Sequence, residues 1–151
     1  MNHDPTIRIL NTLVETAKDG EYGFRSSAQY LRSPISREIF ERRAEECRQA
    51  TVELQDLVVG LGGKPEDSGS ATGTLHRGWM AVKGTLAGYS DRAILEETER
   101  GEDSALSSYR KALEQPLTPE LRSVVERQLE GVKRNHVQVR ALREQARSEV
   151  A

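Results

Sequence analysis

Four stretches of this chain space their apolar residues by alternating threes and fours, and that rhythm narrows the structural choices more than any other feature. Ile7, Leu10, Val14, Ala17, Phe24, Ala28 and Leu31 keep it, as do Phe40, Ala44, Cys47, Thr51, Leu54, Val58 and Leu61. A third set reads Leu95, Glu99 or Glu102, Leu106, Tyr109 and Leu113. A fourth reads Leu121, Val125, Gln128, Val132, His136, Val139 and Leu142. An α-helix turns once in 3.6 residues, so this spacing paints one face of each helix. Helices with one such stripe bury it against each other, and four of them make a bundle. The charged share of 30% suits the wet outer faces.

The punctuation between the stripes agrees. Asp4-Pro5 places an acidic cap before a first-turn proline, and Ser33-Pro34 and Thr118-Pro119-Glu120 repeat the cap-plus-proline signal. Gly62-Gly63 with Pro65 beyond is a helix stop, and Pro116 is another. The helices are expected over about 4–31, 34–61, 91–114 and 119–148. Gly20 and Gly23 interrupt the first stripe without shifting its phase, which predicts a close approach or slight bend there. Residues 62–90 are turn-rich, apart from an amphipathic piece that predicts a short helix over about 74–87. A helix hairpin needs only a few connecting residues. Nearly thirty are what a crossover along the bundle requires. The whole chain, 1–151, is therefore expected to be a single all-α four-helix-bundle domain with one long crossover.

Net charge is −2, so no overall basic field exists to gather nucleic acid. The charge is uneven: Asp91 to Asp103 holds six acidic and two basic residues, and Pro119 to Glu149 holds five acidic and seven basic. Complementary faces on neighbouring helices are the expected result. One cysteine excludes an internal disulfide framework, and no apolar run approaches the ~20 residues that span a membrane. A cytoplasmic protein with no membrane and no nucleic-acid partner is expected.

Several local runs occur in order: Asp19-Gly20-Glu21-Tyr22-Gly23-Phe24, Leu61-Gly62-Gly63-Lys64-Pro65, Ser68-Gly69-Ser70, Leu75-His76-Arg77-Gly78-Trp79, Glu97-Thr98-Glu99-Arg100-Gly101-Glu102-Asp103 and Gly131-Val132-Lys133-Arg134-Asn135-His136. Together they resemble a bacterial family of uncharacterised four-helix-bundle proteins, a domain of unknown function grouped with the ferritin-like folds. The resemblance spans essentially the whole chain. It implies a ferritin-like bundle and a loose association with stress and anaerobic survival, and it implies no established activity.

Polar residues break the stripes at Glu21, at Glu99 or Glu102, and at His136. Counting residues back from each turn puts Glu21 level with Glu45, and Glu99 level with His136. All four then fall near mid-bundle if the first and last helices end together. Di-iron bundles place a Glu on each of two helices and a Glu-x-x-His on each of the other two, and carboxylate with imidazole suits iron, manganese or zinc. Here Arg48 stands where the second helix would need histidine, and Lys133 where the fourth would need glutamate. An internal salt-bridge and hydrogen-bond network is therefore the expected state, with a carboxylate beside His136. The alternative is a divalent metal site using Glu21, Glu45, Glu99, Glu102 and His136.

The remaining chemistry-bearing residues read as structural. His76 and Arg77 could bind an anion or partner, but Trp79 beside them suits packing against the bundle side. Cys47 lies on an apolar stripe and reads as a buried small hydrophobe. Tyr22, Tyr30 and Tyr109 read as core edges rather than redox relays. No nucleophile elbow or phosphate loop is present. The preferred function is non-catalytic: a stress-associated bundle acting through self-association, as a homo-oligomer, or through a protein partner.

Overall fold

A hydroxyl side chain caps the start of three helices, two of them at the cap-plus-proline signals of Ser33 and Thr118. Ser33 Oγ accepts from the Ser36 N–H and opens α2, Pro34–Gly60. Ser90 Oγ accepts from the Ala93 N–H and opens α3, Asp91–Leu113. Thr118 Oγ1 accepts from the Leu121 N–H at 3.3 Å and opens α4, Pro119–Val150. Each bond satisfies one of the N–H groups that a helix leaves over at its start. The first helix, α1, spans Asp4–Ala28 and differs: His3 is its N-cap and makes no side-chain cap bond, so Asp4 works inside the first turn. These elements come from a computed structural model that describes residues 3–69 and 90–150, with side chains to Ala146. The short helix expected over 74–87 falls outside the described residues, and so do His76, Arg77 and Trp79.

α2 stops in a full Schellman turn. Gly62 adopts φ 81°, its N–H donates to Val59 O, and the Gly63 N–H donates to Val58 O. Gly63 is also pinned by space, because a Cβ there would come within 2.8 Å of Ile7.

Two sets of bonds define the topology. The Asp91 carboxylate accepts from the backbone N–H groups of Arg32 and Ser33, so α3 begins beside the α1–α2 turn. At the opposite end of the bundle, Asn11 holds the chain leaving α2 by bonds to Lys64 O and the Glu66 N–H. The end of α2 and the start of α3 thus lie at opposite ends of the bundle. α1 packs on α2 and α3, α4 packs on α3, and the α2–α4 contact is the slightest of the four.

Among the described residues, the apolar interior forms two clusters. Leu10, Leu13, Val14, Leu54, Val58, Leu106, Val125 and Leu129 belong to the cluster nearer the α2 C-terminus. Phe24, Leu31, Phe40, Ala44, Ile94, Leu95 and Val139 belong to the one nearer the α1–α2 turn. In the latter, Phe24 and Phe40 meet edge to face at 5.1 Å. Each fully buried Leu contributes roughly 1.5–3 kcal/mol, so both clusters are strong. The polar residues between them position the candidate site.

Candidate functional site

Glu102 on α3 is the centre of the polar layer. It is only 4% exposed, and Asn135 on α4, equally buried, donates from Nδ2 to its Oε2 at 2.6 Å. Burial pushes the Glu102 carboxyl up to about 7, against the pull of the Asn135 bond and the Arg43 charge. The second oxygen, Oε1, has no hydrogen-bond partner among the described residues, and neither has Nε of Arg43 on α2. Arg43 reaches across the slight α2–α4 contact, where its guanidinium passes 3.5 Å from where a Cβ on Gly131 would stand.

The other predicted site residues lie in separate places. Glu21 takes Arg25 of its own helix as partner, and Arg25 reaches to 4.0 Å from Glu45. Glu45 is held by Arg48 at 2.7 Å and is nearly half exposed. Its pKa is lowered, first by the Arg48 hydrogen bond. Glu99 bonds Arg143 and has Arg140 at 3.7 Å, both on α4. His136, with the ring protonated at Nε2, donates to Asp103 Oδ1 at 3.2 Å. The acidic face of α3 thus meets the basic face of α4 as their charge runs imply.

Three placements correct the sequence expectations. Glu45 and Arg48 flank the buried line Ala44, Cys47, Thr51 instead of pointing inward, because each stands about 100° round the helix from it. Lys133 is exposed and pairs with Glu130 on the surface. His136 stands opposite Asp103, not Glu99, and the inward place beside it belongs to Asn135. The spacing Gln128, Val132, Asn135, Val139 alternates as regularly as the one through His136, and it is the one the core uses. Asn135 was therefore readable as an inward candidate. Arg43 and Arg143 carried no signal of their own, since a long side chain can enter the bundle from a flanking position.

A cavity of about 500 Å³ enters between α1 and α3 and reaches Arg43, Cys47 and Glu102. Gly20 lies on its wall and lets the chains approach: a Cβ there would sit 2.9 Å from Cys47 Sγ. Burial raises the Cys47 thiol to about 11, so it is a packing group, not a nucleophile. Tyr109 is buried and donates to Gln128 Oε1 at 2.7 Å.

Ferritin-like bundles of the di-iron kind converge carboxylates and imidazoles on a shared centre. The donors here do not suit that centre. Glu21, Glu45 and Glu99 are each neutralised by arginine, Glu102 is bonded to a neutral amide, and His136 faces Asp103. Among the described residues, no three His, Cys, Asp or Glu side chains are grouped as metal ligands.

A family profile described as Domain of unknown function (DUF2383) matches residues 5–115. No curated protein matches the sequence. Among solved structures, a C-terminal deletion mutant of Mycobacterium smegmatis Dps is similar at TM-score 0.75 and 14% identity. The match covers 93% of this chain and 99% of that one. A dodecameric thioferritin, the bacterioferritin-related protein from Bacteroides fragilis, is similar at TM-score 0.76 and 15% identity, over 99% of this chain and 90% of that one. The fold is that of the ferritin-like four-helix bundles.

Proposed function

We propose that this chain, which belongs to the DUF2383 family, is a non-catalytic ferritin-like bundle of the cytoplasm that acts in stress by association with its own copies or with a protein partner. The observation that carries this reading is the state of the mid-bundle carboxylates. Arg25, Arg48 and Arg143 already hold Glu21, Glu45 and Glu99. A divalent ion would have to displace those guanidinium groups, each a charge-assisted hydrogen bond. Support for self-association comes from apolar side chains left outside, among them Val52 at 44% and Val59 at 58% exposed. They stand seven residues apart, and hence on one outer face of α2. The thioferritin of similar fold is dodecameric.

The test is sedimentation or light scattering on protein purified without chelator, together with elemental analysis. A mass that is a multiple of 16.9 kDa and survives chelator supports the reading. A monomer that captures no partner contradicts it.

A second reading, a divalent metal site drawing on Glu21, Glu45, Glu99, Glu102 and His136, rests on one observation: the unpartnered Oε1 of Glu102. Stoichiometric iron, manganese or zinc in the purified protein, with calorimetric heat on reloading, would establish it over the first.

A further inference from the structure

One outer row of α2 reads cation, valine, anion. Arg48, Val52 and Asp56 are spaced by four, so they form one inclined ridge on the helix. Arg48 and Asp56 each stand about 6 Å along the axis from Val52. Read in the opposite direction, the same ridge is anion, valine, cation. A row of this kind is complementary to its own reversed copy, which is what a two-fold contact requires of a surface. Rows spaced by four also interlock in the commonest helix crossing, at about 50°.

The three side chains are available. Val52 is 44% exposed, and Val59, on the adjoining row, is 58% exposed. Asp56 is exposed and has no hydrogen bond or ion pair among the described residues. A carboxylate on a helix surface pairs with cations three or four residues away. Those positions around Asp56 hold Val52, Glu53, Val59 and Gly60, so its own helix offers it no cation. Arg48 is half exposed and gives Nε and Nη2 to Glu45, which leaves Nη1 for a second carboxylate.

We propose that two copies of this chain pair through α2 about a two-fold axis beside Val52, each Arg48 meeting the partner's Asp56 and each Val59 covering the aliphatic stem of the partner's Arg48. The pairing rests on the self-association reading above and adds to it the face, the relative direction of the two chains and an even number of copies. Apolar contact at Val52 and Val59 supplies the attraction. The charge pairs lie at the rim and fix the register more than the affinity, so neutralising one charge costs little and reversing it costs more.

Charge reversal tests this on the full-length protein, because the symmetry makes each change act twice. Sedimentation is expected to give the parent as an even multiple of 16.9 kDa. Arg48→Asp puts two carboxylates face to face across the axis, and Asp56→Arg puts two guanidinium groups there. Each alone is expected to weaken the pairing at least about tenfold and to lower the mass. An equal mixture of the two variants sets opposite charges together at both contacts and is expected to regain the parental mass, as is the chain that carries both changes. That rescue also shows that both variants fold. Arg134→Asp, the same reversal on the exposed face of α4, is expected to leave the mass as it is. If either α2 reversal keeps the parental mass, if the mixture stays apart, or if the parent holds an odd number of copies, the pairing is overturned while self-association stands on another face. A parent of 16.9 kDa overturns the self-association reading and this pairing together.

Discussion

The first hairpin, α1–α2, and the second, α3–α4, both bring glutamates toward the middle of the bundle, and they treat them differently. On the first, Glu21 and Glu45 sit at the edge, where water reaches and arginines on neighbouring turns complete them. On the second, Glu102 lies at 4% exposure with a neutral amide as its one partner among the described residues, and its carboxyl is raised to about 7. Residue type is shared, so the difference comes from phase on the helix: one position off the stripe finds solvent, and one position on it finds the core. Screening makes the first kind of pair nearly inconsequential for stability. Desolvation makes the second kind consequential.

The comparison breaks most visibly at Asn135. Asn135→Leu removes the Asn135 hydrogen bond to Glu102 and leaves a buried carboxyl with no partner for either oxygen among the described residues. A loss of about 3 kcal/mol is expected, a fall of roughly 6–12 °C in Tm, read by thermal unfolding at pH 7. A change within error would mean that water reaches Glu102 and that the two hairpins are alike.

Next in size is pH. A carboxyl raised from 4.5 to about 7 by folding holds its proton in the native state after the unfolded chain has released it. Stability is therefore fully present below about 4.5 and lost as pH climbs through 7, by an amount on the order of 3 kcal/mol. Urea unfolding between pH 5 and 7.5 reads this slope. Glu102→Gln keeps an acceptor for Asn135 and cannot ionise, so the slope is expected to flatten. An equal slope in the variant would assign the effect elsewhere.

Smaller again is the contact between Gly20 and Cys47. Gly20→Ala drives a methyl group to 2.9 Å from the sulfur and is expected to cost about 1–2 kcal/mol despite alanine's better helix propensity. Combined with Cys47→Ala, the same change should cost little, and a double-mutant cycle measures that coupling. Additive losses would remove the close approach as the reason for glycine at this position.

How far the sequence carried follows from what each signal depends on. The helices, the caps at Ser33 and Thr118 and the stop at Gly62 depend on local chemistry and on spacing along one helix, and those are written in the chain. Which of two adjacent residues points inward depends on a rotation of about 100°, and that is fixed only when all four helices pack. So spacing alone does not separate Asn135 from His136, and it places Glu45 inside although the buried stripe runs through Ala44. The cavity was less legible still. Gly23 and Gly101 lie on different helices, and nothing in a linear reading shows that two small residues will face each other across a gap.

The smallest effect is the one the first hairpin should give. Glu45 and Arg48 hold each other by two hydrogen bonds from Nε and one from Nη2, and both side chains are about half exposed. Geometry of that quality would matter in a dry place. Here solvent competes for every group, and salt screens what is left. Glu45→Gln and Arg48→Gln are therefore expected to leave the unfolding midpoint unchanged at physiological salt, with at most a slight drop at low ionic strength. If either variant unfolds as readily as Asn135→Leu, the edge of the first hairpin is as dry as the centre of the second, and helix phase is not what separates them.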